Sequence, residues 1–144
     1  MLLSTTHAFL HNESVKTDST INNSILESIR IHMRNVSEFF GSGGHPTDIH
    51  AATILVTTIV FSTLSKTDKD SISRTTSHLT THRLTNNHDL QLGIFGNNNF
   101  KTLVDNIKLF LDELNNGNIK SNYVSNFQEP EIVARFSQLT NDLT

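Results

Sequence analysis

The sequence predicts an all-α domain, on three observations. Residues 20–40 and 99–116 each run without Gly or Pro and repeat apolar residues every three or four positions, the period of an amphipathic helix. No alternating apolar–polar run offers the partner that a lone strand would need. A length of 144 residues suits one core and leaves little room for a second. The expected architecture is a four- to five-helix bundle covering residues 1–144 as a single domain, with residues 41–64 a long connection or a buried helix.

The elements follow in chain order. Residues 4–11 read as a short first helix capped by Ser4, with Phe9 and Leu10 turned inward. Residues 12–20 are polar and read as a loop. Steps of ~100° place Ile25, Leu26, Ile29, Met33, Val36 and Phe40 on one face of the next helix. Glu27, Arg34 and Glu38 fall on the other face, spaced to pair in water. The GSGGHP stretch at 41–46 ends it, because Gly supplies left-handed geometry and Pro46 cannot continue a helix. Residues 49–64 have the length of a helix and the Val, Ile and Thr content of a strand. With no second strand available, the favoured reading is a buried helix. Ser65 and Asp68 make an S-x-x-D start for a helix reaching about residue 84, with Ile72, Leu79 and Leu84 as its only strongly apolar residues. Residues 86–99 read as an irregular loop. Phe100, Leu103, Val104, Ile107, Phe110, Leu111 and Leu114 then form the most regular stripe in the chain. Asn97–Asn99 supply an N-cap and Asn115-Asn116-Gly117 a stop. A last helix starts near Pro130, its stripe being Ile132, Val133, Phe136, Leu139 and Leu143.

Composition narrows the function classes. Eleven Lys and Arg against 14 Asp and Glu give a net charge of −3, which excludes a strongly basic nucleic-acid coat. The absence of Cys excludes disulfides, thiolate metal sites and cysteine nucleophiles. Ser, Thr and Asn together supply 49 residues, so solubility rests on uncharged polar groups. The longest apolar run, 51–64, is shorter than the ~20 residues that span a bilayer. No basic, apolar and small-residue leader pattern opens the chain. A cytoplasmic protein without a membrane role is expected. No phosphate-binding Gly loop and no G-x-S-x-G elbow occurs, and the thinly scattered basic residues give no strong DNA-binding signal.

Eight histidines are the chemically suggestive feature. His78 and His82 stand four apart on one helix face, a spacing that lets two imidazoles share a metal ion. Leu79 occupies the place of the Glu in H-E-x-x-H, so protease chemistry is not expected. No metal and no cofactor is expected, with His78 and His82 the weak candidates. The favoured reading of the polar residues is structural. His32, Arg34 and Asn35 on one helix, with His78 and Arg83 on another, would form a hydrogen-bonded network between the two, because interior polar groups need partners.

Two blocks carry a family resemblance. ESIRIHMRNVSEFF at 27–40 and SHLTTHRL at 77–84 are similar to an "IHxRNLxxFF" block followed by "HLTxxR" in small bacterial helical proteins. Those proteins resemble the HEPN superfamily, whose helical domains often cleave or bind RNA. The resemblance implies a HEPN-like bundle. Where the family is catalytic, an Arg precedes a His by a four- to six-residue gap. The His moves a proton during attack by the RNA 2′-OH and the Arg steadies the phosphate, across a dimer and without metal. Arg83 and His88 match that spacing, whereas Arg74 stands one position too close to His78. The expected function is an interaction or accessory module whose partner is a second copy or another protein. The alternatives are an RNase or RNA-binding protein using Arg83 and His88, or Arg74 and His78, and a histidine metal-binding protein.

Overall fold

The computed structural model describes residues 2–12, 19–41, 47–77, 98–127 and 130–142. The described residues are mostly helical. Five helices of ten residues or more are α1 (Leu2–His11), α2 (Ser19–Phe40), α4 (Lys66–Ser77), α5 (Asn99–Asn115) and α6 (Pro130–Asp142). A single turn, α3 (Ala51–Ile54), and a 3-10 helix over Ser121–Phe127 complete them. Among the described residues no strand forms; one antiparallel bridge pairs Leu55 with Ile119. The described residues are therefore of all-α class, as their periodicity predicts.

The longest helix organises the rest. α2 packs against α1, α3, α4 and α5, while α6 lies on α1 and α5. Its predicted face is its buried face: Leu26, Ile29, Met33 and Phe40 are buried, and Ile25 and Val36 pack at the edge. Two apolar clusters result. The larger joins Leu2, Leu3 and Phe9 of α1 to Met33, Leu64, Ile72, Leu103 and Val104. The second gathers Phe40, Ala51, Ile54, Leu55, Phe61 and Phe110. Val36 and Ile107 touch both clusters and make the core continuous.

The helix ends follow local chemistry. Ser65 Oγ accepts from the Asp68 N–H at 3.1 Å and donates to the Asp68 carboxylate, so the S-x-x-D start is formed. Ser65→Ala is expected to cost about 1 kcal/mol of stability, a small fall in the chemical-denaturation midpoint. α5 ends at Gly117, whose φ of 75° only glycine adopts without strain. There the Gly117 N–H donates to Leu114 O and the Asn118 N–H to Glu113 O, so both bonds of a Schellman stop are made. At the other end, Asn98 holds a left-handed φ of 57° but its side chain makes no cap bond. The expected side-chain N-cap is absent there.

Two expectations are corrected. α1 begins at Leu2 rather than residue 4, and buries Leu2, Leu3, Thr6 and Phe9 while Leu10 is exposed. Residues 49–64 are not a buried helix: only Ala51–Ile54 is helical, and the chain then bends at 56–57 and continues without regular structure to residue 65. The cause is local, since residues 56–60 are five consecutive β-branched residues, each restricted at χ1 in a helix. No long helix was needed to cover the core there, because Leu55, Phe61 and Leu64 reach it from this connection. Residues 78–84, 86–97 and Leu143, assigned above to a helix, a loop and an apolar stripe, lie outside the described residues. No helix among the described residues is long and apolar enough to cross a membrane.

Candidate functional site

The segment after α3 is fixed in place by side chains from elsewhere in the chain. Asn106, itself buried on α5, grips the backbone of Ser62: its Oδ1 accepts from the Ser62 N–H at 3.1 Å and its Nδ2 donates to the Ser62 carbonyl at 2.6 Å. Glu113 accepts from the Thr57 hydroxyl and from Asn118 Nδ2, both at 2.7 Å. The Val56 N–H donates to Asn118 O, and the Lys120 N–H donates to Ile54 O. Lys120 Nζ also caps the Thr53 carbonyl at 2.8 Å. These contacts give the segment the alternation of a strand without a sheet. Leu55 and Phe61 are buried and Thr57 and Ile59 half-buried, while Val56, Thr58 and Val60 face water.

The outward face is unusual for its apolar content. Val60 is 90% exposed, and Val56 and Ile49 are each 59% exposed. Residues 49–65 contain no Asp, Glu, Lys or Arg. Among the described residues, the backbone of 58–60 makes no main-chain hydrogen bond, so an edge is open beside the exposed valines.

A cleft of about 190 Å³ opens between α2 and α4, lined by Arg34, Ser37, Glu38, Leu64, Lys69, Asp70 and Ile72. It is smaller than the ~300 Å³ at which ligand pockets usually begin. Its charges are balanced, and Arg34 Nε is already committed to Glu38 at 2.9 Å. That pair is exposed and contributes little to stability. The Ser37 hydroxyl, almost fully buried at its wall, has no hydrogen-bond partner among the described residues. The cleft therefore reads as a gap in helix packing rather than a substrate site.

The sequence-designated residues divide as follows. His32 is half-buried, and burial lowers its pKa below the usual imidazole value. Arg34 lines the cleft in its pair with Glu38, and Asn35 is exposed. Their proposed network partners, His78 and Arg83, lie outside the described residues, as do His82 and His88; Arg74 lies on α4, with only its backbone described. Among the described residues no group of three or more His, Cys, Asp or Glu converges.

The deeply buried cation of α2 is Arg30, which none of the sequence motifs singles out. It is 5% exposed, and desolvation brings its pKa down to about 10 while Glu27 opposes the shift. A signal was present: Leu26, Arg30, Met33 and Ser37 follow one another at steps of four and three, so they share a stripe. Nothing comparable pointed to Asn106, whose role depends on a segment 44 residues away. Comparison with protein-family models, curated proteins and solved structures finds no match to this chain.

Proposed function

We propose that the chain is a HEPN-like helical accessory module that works by self-association, docking a second copy through the non-helical segment at residues 55–60. The observation that carries this reading is the exposure of Val56 and Val60 along an open backbone edge. Edge strands that stay solitary are usually blunted by Lys, Pro or inward charges. Residues 49–65 contain none of these. A two-fold interface sets the same patch against itself, so a charged edge would meet its own sign while this uncharged one does not. Docking would pair the free groups of 58–60 with their symmetry mates and cover the valines.

Sedimentation velocity across a concentration series tests the reading. The wild-type chain is expected to approach twice its 16.1 kDa mass, whereas Val60→Asp and Val56→Asp stay monomeric with unchanged helical circular dichroism. Ile31→Asp, at an exposed position on α2, is expected to leave association intact. A wild-type chain that stays monomeric throughout the series overturns the proposal.

A further inference from the structure

One turn of α1 brings two imidazoles together. His7 and His11 stand at i and i+4, with ring centroids 4.4 Å apart and planes tilted by 40°. His11 is exposed and His7 half-buried, while Leu2, Leu3 and Phe9 anchor the opposite side of the helix in the core. We propose that His7 and His11 form a surface chelate for a divalent late first-row transition ion, with copper(II) the most tightly held.

Residues four apart on a helix share a face, so one ring nitrogen from each can meet a single ion at the ~2.0–2.1 Å typical of metal–imidazole bonds. The rings already lie side by side, so little conformational freedom is lost on closing the chelate. Imidazole suits copper, nickel and zinc, and affinity across the divalent series peaks at copper. The chain has no Cys, so thiolate cannot compete for the ion. No third His, Cys, Asp or Glu joins the pair among the described residues. Two imidazoles leave coordination positions open to exchangeable ligands such as water. The pair exists only while this turn is helical, so binding favours folded α1 by mass action. The site lies on α1, away from residues 55–60, and it stands or falls independently of self-association.

The test titrates copper(II) into the protein at neutral pH, reading affinity by calorimetry and ligands by pulsed electron paramagnetic resonance. His78→Ala and His82→Ala are introduced first, because that second i, i+4 pair would contribute its own signal. In that background one copper with two imidazole nitrogens is expected. Adding His7→Ala or His11→Ala is expected to weaken binding by about tenfold or more and to remove one nitrogen, as loss of a chelating arm does. His50→Ala is expected to change neither readout. If the background chain fails to fold, His7→Ala and His11→Ala in the otherwise unaltered protein are each expected to weaken one bound equivalent by about tenfold or more and to lower the nitrogen count by one. Affinity and nitrogen count that survive either substitution overturn the proposal.

Discussion

Phe40→Ala is expected to lower stability by about 3–5 kcal/mol, the largest effect of any single substitution considered. Phe40 closes α2 and is almost fully buried. Its ring lies 4.7 Å from Phe61, 5.0 Å from Phe39 and 6.1 Å from Phe110. Phe39 in turn meets Phe110 edge-on at 5.3 Å. Truncation leaves a cavity bounded by three other rings held on α2, α5 and the non-helical segment, so collapse into it is limited. Aromatic pairs of this geometry add about 0.5–1.5 kcal/mol beyond the area they bury. A fall in melting temperature of roughly 10 °C should accompany the loss. Phe40→Leu keeps most of the volume and should cost only about 1.5 kcal/mol. Equal losses for the two variants would show that the ring contacts, and not the volume, decide the matter.

Asn106→Ala should cost about 2 kcal/mol, because two neutral hydrogen bonds of about 1 kcal/mol each are removed together. The effect is not larger because Ser62 is exposed and water can reach its freed groups. Asn106→Asp separates the two bonds. The carboxylate still accepts from the Ser62 N–H, but it sets an acceptor against the Ser62 carbonyl, where Nδ2 now donates. Its loss should exceed that of Asn106→Ala at neutral pH and shrink on acidification, when the protonated carboxyl again donates. Denaturation midpoints of both variants across pH check this. An Asp variant as stable as the wild type at neutral pH would remove the clamp from the account.

How far the sequence was legible depends on the range of the forces involved. α2 and α5 could be read because their stripes are periodic and their ends carry local signals, as Gly117 does for α5. Ser65 and Asp68 could be read because a capping box spans only four residues. The favoured reading of a buried helix failed at 55–65, where the alternative of a long connection holds and where five β-branched residues stand in a row. The missing element was Asn106, which supplies from α5 the hydrogen bonds that a neighbouring strand would otherwise make. The cation buried on α2 is legible in the Leu26–Arg30–Met33–Ser37 spacing, whereas the motif residues His32, Arg34 and Asn35 lie outside that stripe and are less buried.

The way residues 55–65 are held has an evolutionary consequence. Their path is held by Asn106, Glu113 and the inward Leu55 and Phe61, while the outward sites 56, 58 and 60 add only the β-branching that resists a helix. Those three outward sites can exchange among β-branched residues while the scaffold behind them keeps its form. Selection could give one lineage a different recognition code there without first having to rescue a damaged fold.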